Sequence, residues 1–117
     1  MDLDWKRFLL ASSPDGELVA CGQIKPHSEG TLELASIAVR PEWRGRGLAR
    51  EIIQRLVADS PRPIYLTCRS DLEPLYLKYG FHTLTSLELT PYFRRIQKLA
   101  NLMMFREDFS LLVMRLD

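Results

Sequence analysis

Residues 39–57, VRPEWRGRGLAREIIQRLV, decide how the rest of the chain is read. The apolar run of residues 32–39 ends at Pro41, and in the loop that follows Gly45 and Gly47 alternate with Arg44 and Arg46. Leu48, Ala49, Ile52, Ile53, Leu56 and Val57 then recur at the i, i+3, i+4 spacing of one helix face. Glu51 and Arg55 sit one turn apart on the solvated side. A strand, a glycine loop and a helix start, in that order, make an anion site. Glycine lets the backbone approach closely, and the first N–H groups of the helix point outward with the positive end of its dipole. The two arginines add charge-assisted donors. The same residues also suit a tight turn whose glycines only permit positive φ, so the loop alone leaves both readings open.

Two well-known phosphate loops are excluded. A Walker A loop needs Gly-Lys followed by Ser or Thr, and none is present. A dinucleotide fingerprint needs a third glycine where Arg50 stands and an acid on the next strand, where residues 65–69 have none. The pattern Arg44-x-x-Gly47-x-Ala49, preceded by Val39 and Pro41, instead resembles the acyl-CoA pyrophosphate loop of the GCN5-related N-acetyltransferase (GNAT) family. That loop reads Gln/Arg-x-x-Gly-x-Gly/Ala. A second segment, Leu75-Tyr76-Leu77-Lys78-Tyr79-Gly80-Phe81, is similar to the family's Leu-Tyr-x-Lys-x-Gly-Phe and falls at the expected distance from the loop. The resemblance covers roughly residues 5–90, and a last strand also fits it.

Composition bounds the answer without choosing it. The 117 residues suit one domain (1–117) with a modest core. With 46% hydrophobic and 26% charged residues, they have the balance of an ordinary soluble globular chain. A net charge of +1 argues for neither nucleic acid nor a membrane surface as partner. Cys21 and Cys68 lie singly in apolar runs without metal-ligand spacing, which predicts two buried reduced thiols, no metal and a cytoplasmic setting. The first residues, MDLDWKRF, lack the pattern of a signal peptide, and no apolar run is long enough to span a bilayer.

In chain order the patterns predict strands over residues 5–12, 18–25 and 31–40, the first two joined by the turn Ser13-Pro14-Asp15-Gly16. The third is almost continuously apolar, which predicts cover on both faces. The helix after the glycine loop should stop at Ser60-Pro61-Arg62-Pro63, before a strand over residues 64–69. A short helix follows, with Gly80 at its C′ position, then a strand over residues 81–89. Residues 91–104 predict a helix with Pro91 in its first turn and an apolar stripe of Tyr92, Ile96, Leu99 and Met103, with Phe93 and Ala100 alongside. A strand over residues 109–116 closes the chain. The fold class is therefore α/β (α+β): a GNAT-like, mixed, mostly antiparallel sheet flanked by helices, with an extra helix before the last strand.

The resemblance implies roles residue by residue. Tyr76 matches the tyrosine that acts as general acid toward the departing thiolate, although an apolar helix face also suits a plain core tyrosine, as it does Tyr79. A phenol, with a free pKa of ~10, stays protonated near neutrality beside a thiol of ~8.5. Glu33 matches the strand glutamate that serves as base in histone-acetylating members, and a carboxylate in an apolar strand is costly unless paired or used. The other reading of Glu33 is a strand-end residue facing water. Backbone N–H groups around Ile37, Ala38 and Val39 are implied as donors to the thioester carbonyl. Arg44, Gly45, Arg46, Gly47, Leu48 and Ala49 are implied as the cradle for the pyrophosphate. His27, in a turn, and His82, on a strand, read as structural.

Three departures from the family stand out. Only a hairpin precedes the third strand, where members usually carry a strand and two helices that help form the acceptor pocket. Arg69 stands where many members have a cofactor-contacting Asn. The helix of residues 91–104 replaces a short connection; it could supply the acceptor wall, pack on a second subunit as in a homodimer, or cover the sheet. The expectation is an N-acetyltransferase that uses acetyl-CoA as co-substrate and attacks directly from a primary amine in a ternary complex. The alternative is a non-catalytic acyl-CoA-binding module, or a subunit whose acceptor site a partner completes.

Overall fold

The computed structural model describes residues 8–103 and 110–117. The chain forms two compact units, the first ending at Ile64 and the second beginning at Tyr65.

The first unit is a meander backed by one helix. Strands β1 (Phe8–Ser12) and β2 (Leu18–Pro26) pair antiparallel, and β2 pairs antiparallel with β3 (Leu32–Val39). The Ser13–Gly16 turn is closed by Gly16 N–H donating to Ser13 O at 2.8 Å, with Gly16 at φ 85°. A single 3-10 turn, Pro41–Trp43, leads to the glycine loop and to helix α1 (Leu48–Ala58). That helix buries Ile52, Ile53 and Leu56, which share the unit's core with Val19, Ala20, Ile24 and Leu34. Each of these isoleucine, leucine and valine side chains contributes about 1.5–3 kcal/mol by leaving water. On the opposite side Arg55 Nη2 lies 3.0 Å from Glu51, the expected one-turn pair.

The second unit opens with β4 (Ile64–Arg69), followed by a 3-10 turn, Ser70–Leu72, and the five-residue helix α2 (Glu73–Leu77). Strand β5 (His82–Thr83) is short, and helix α3 (Pro91–Met103) precedes β6 (Leu111–Leu116). Strand β6 lies between β4 and β5 and runs antiparallel to β5. The core here is Tyr65, Leu84, Leu89, Phe93 and Val113, with the Tyr65 and Phe93 rings stacked at 5.0 Å. The fold is thus mixed α/β with mostly antiparallel strands, as the patterns predicted.

Three local expectations need correcting. The third strand is not covered on both faces, because Ser36 and Ala38 are exposed and Leu34 alone on it is fully buried. Small residues lengthen an apolar run without requiring cover. The strand predicted over residues 81–89 shrinks to β5, because Thr85 and Glu88 form a capping box around a 3-10 turn, Ser86–Glu88, that leaves Leu87 exposed. On α3 the buried seam is Phe93 and Ala100, with Gln97 half-buried between them and bonded to Leu111 O at 3.0 Å. Ile96 and Leu99, placed on the apolar stripe, face outward, since residues 93, 97 and 100 share the other side of a 3.6-residue turn. Residues 5–7 and 104–109, parts of a predicted strand, helix end and strand start, lie outside the described residues.

Candidate active site

Within the first unit the loop after β3 has the features of an anion cradle. Gly45 and Gly47 adopt φ 78° and 80°, and among the described residues no atom beyond their chain neighbours lies within 4 Å of where a Cβ would stand at either. Their need for glycine is therefore conformational, and the space above them is open. Gly47 is the N-cap of α1, and no side chain caps the first turn, so its outward N–H groups keep their donors. Arg44 Nε donates to Val39 O at 3.2 Å, which fixes the guanidinium beside the end of β3. Arg46 lies over the Trp43 ring at 4.4 Å. Arg40, by contrast, is spent on Glu17 at 3.1 Å and Glu42 at 3.5 Å.

Upstream of that loop, β3 is irregular where the resemblance puts oxyanion donors. Its register against β2 runs Cys21↔Ala38 and then Gln23↔Ala35, so Ser36 and Ile37 together face Gly22 alone. This is a β-bulge, with Ser36 at φ 59° and its Oγ donating to Gln23 Oε1 at 2.8 Å. The partner residue must be glycine: a Cβ on Gly22 would stand 2.6 Å from Ile37 Cδ1 and 2.6 Å from Ile52 Cγ2. An isolated glycine in a strand pattern is a bulge signal, and Gly22 carried it.

Glu33 lies on the same strand, and it neither faces water nor stands alone. Its Oε1 is 2.6 Å from His27 Nε2, with side-chain exposures of 12% and 9%, so the charge is covered and partnered. The sequence reads His27 as a structural turn residue, and the fold gives it a partner. The Pro26–Leu32 pairing closes the hairpin, and the His27 and Thr31 backbones bond at 2.9 Å, which brings the ring to the carboxylate.

In the second unit, Tyr76 sits in a helix stop that accounts for its motif. Gly80, at φ 94°, donates to Leu77 O at 3.1 Å, and Phe81 N–H donates to Tyr76 O at 3.3 Å. This pair of bonds is a Schellman cap with Gly80 at C′, and its usual apolar contact is the edge-to-face pair of Tyr76 and Phe81 at 6.1 Å. Burial, then the nearby Cys68 and Tyr79, push the Tyr76 phenol above its ordinary 10.0. Among the described residues no group hydrogen-bonds its hydroxyl. Cys68 is buried, and burial with the charges of Glu73 and Asp71 raises its thiol to about 11, which removes it as a nucleophile. Cys21 is only half-buried, short of the full burial predicted, and both thiols are free. Arg69 forms a two-pronged pair with Asp71 at 2.7 and 2.9 Å.

With this geometry in hand, comparison with known proteins decides the family. The model of the acetyltransferase (GNAT) family matches residues 2–81. The chain belongs to the GNAT family. Solved structures share the fold. N-acetylglutamate synthase from Neisseria gonorrhoeae, complexed with coenzyme A and N-acetyl-glutamate, is 20% identical with a TM-score of 0.69 over 97% of this chain and 26% of its own. Rv2747 from Mycobacterium tuberculosis, in complex with CoA, is 17% identical with a TM-score of 0.73 over 97% and 76%. An acyl-CoA N-acyltransferase from Pseudomonas aeruginosa is 24% identical with a TM-score of 0.67 over 94% and 67%. The chain thus spans about a quarter of the synthase. No curated protein gives a significant match. No helix among the described residues is long and apolar enough to cross a membrane.

Proposed function

We propose that this GNAT chain is a single acyl-CoA-binding domain that transfers an acetyl group from acetyl-CoA to a primary amine by direct attack in a ternary complex. The observation that carries the reading is the loop after β3. Two left-handed glycines, an uncapped helix start and arginines 44 and 46, neither with a carboxylate partner among the described residues, leave a concentrated positive field in open space. The CoA diphosphate has the charge and size to fill it.

An alkylammonium has no nucleophilic lone pair at neutral pH, so Glu33 first takes one of its protons. The amine nitrogen then bonds to the thioester carbon, and backbone N–H groups at the Ile37–Val39 end of β3 stabilise the oxyanion. As the C–S bond breaks, Tyr76 gives its phenolic proton to the sulfur, and the surplus proton on the acylated nitrogen restores the phenol. The products are an amide, a free thiol and one proton that Glu33 releases to water. The high pKa of Cys68 supports direct attack over an acyl-enzyme on that thiol.

A second reading has one observation in its favour. Ser36 and Ala38 on β3 are exposed, and Leu10 on β1, across Cys21 of β2 from Ala38, is 57% exposed, so a partner that covers this face could complete the acceptor pocket. Acetyl-CoA mixed with a panel of primary amines, read as free thiol released, separates the two. The proposed function predicts turnover by the chain alone that Tyr76→Phe lowers strongly. Binding of acetyl-CoA without turnover favours the second reading.

A further inference from the structure

Resting on the acyl-CoA reading above, we propose that Trp43 is a positioning residue that holds Arg46 in place for the phosphate groups of CoA. The arginines around the loop are held in three different ways. Arg40 is neutralised by Glu17 and Glu42, and Arg44 is tied to the Val39 carbonyl. Among the described residues, Arg46 is held only by the face of an indole, at 4.4 Å from its centroid. That arrangement has a chemical consequence. A guanidinium held over an aromatic face by its charge gives up no N–H group to a carboxylate or carbonyl, so those turned from the ring remain open to a phosphate acceptor. A carboxylate partner would occupy those donors and cancel the charge. The indole does neither, while it removes much of the rotamer freedom that an exposed arginine would otherwise lose on binding.

The local fold accounts for the pairing. Pro41 starts the 3-10 turn, Arg44 N–H donates back to Pro41 O at 3.3 Å, and the left-handed Gly45 reverses the chain so that residue 46 returns over residue 43. Trp43 is only half-buried, so the chain keeps a large aromatic surface in partial contact with water and spends it on one cation.

The test is calorimetric titration with CoA of the wild type, Trp43→Leu, Arg46→Met and the double variant, with thermal unfolding of each. Trp43→Leu is expected to weaken CoA about three- to tenfold, and in the Arg46→Met background the same change is expected to have no further effect. Trp43→Phe, which keeps a ring face, is expected to bind nearly as the wild type, and it serves if Trp43→Leu does not fold. Wild-type affinity in Trp43→Leu, or an equal loss in both backgrounds, overturns the inference and leaves the acyl-CoA reading standing. Failure of the folded wild type to bind CoA overturns both.

Discussion

His27 Nε2 and Glu33 Oε1 lie 2.6 Å apart at the closed end of the β2–β3 hairpin, both side chains largely out of water. This contact turns a costly carboxylate in an apolar strand into a partnered one. The proposed base then sits in a fixed orientation instead of sampling rotamers.

Glu33→Gln is expected to lower kcat by about 100-fold or more, with the acetyl-CoA KM unchanged, because it removes a general base and no cofactor contact. His27→Ala should have a smaller effect on kcat and cost about 1–2 kcal/mol of stability, since it leaves a covered charge without its donor. His27→Gln retains a donor and should recover most of both. Steady-state kinetics with the two substrates varied separately, alongside thermal unfolding, measures this; a kcat unaffected by Glu33→Gln contradicts the base assignment.

Tyr76→Phe removes one oxygen and keeps the ring that meets Phe81 across the helix stop. Turnover is expected to fall about 100-fold with stability nearly unchanged. The acid works in its protonated form, and burial lifts its pKa above 10.0. The share of activity that depends on Tyr76 should therefore hold constant through neutral and mildly alkaline pH and decline only above pH 10. A Tyr76-dependent loss near pH 8 would contradict this role.

Cys68 gives a stability prediction with a definite sign. Its thiol is raised from 9.0 to about 11 in the folded chain, so the folded state holds this proton more tightly than the unfolded state. The stabilisation is complete below pH 9 and is lost as pH rises through 11, by about 3 kcal/mol in all. Denaturant unfolding from pH 8 to 11 should show the slope, and Cys68→Ala should flatten it.

Gly22→Ala tests the bulge. The new methyl would meet Ile37 Cδ1 and Ile52 Cγ2, both at 2.6 Å. Ile37 can turn its terminal carbon aside, whereas Ile52 is 2% exposed within α1 and its branched Cβ leaves it little rotamer freedom. A loss of about 1–3 kcal/mol is expected, seen as a lower Tm. An unchanged Tm would mean that the strand and helix separate there without cost.

How much of this was legible in the sequence depended on whether the signal was local. The positive φ of Gly45 and Gly47, α1 with its Glu51–Arg55 pair, and Gly80 as a helix stop all follow from spacings within a few residues, and the structure has all three. Strand β4 matched to the residue because prolines precede it and a helix follows. The region of residues 81–89 misled because Thr85 and Glu88 make a cap that competes with strand pairing, and apolar residues such as Leu87 mask it. On α3, the stripe through Ile96 and Leu99 and the seam through Phe93 and Ala100 are both apolar, and only tertiary packing chooses between them. Likewise, nothing in sequence spacing shows that a turn histidine reaches a strand glutamate six residues on. Gly22 is the one local signal of the bulge, and a lone glycine in a strand pattern does not say which residues of the facing strand double up.

The central claim is that the loop from Arg44 to Ala49 grips the diphosphate of CoA, and its most direct test is calorimetric titration of the folded chain with CoA and, separately, with pantetheine. The expected result is one CoA per chain, an affinity that falls as salt is added, and much weaker binding of pantetheine, which lacks the diphosphate. No heat with CoA, or equal affinity for the two ligands, would contradict it.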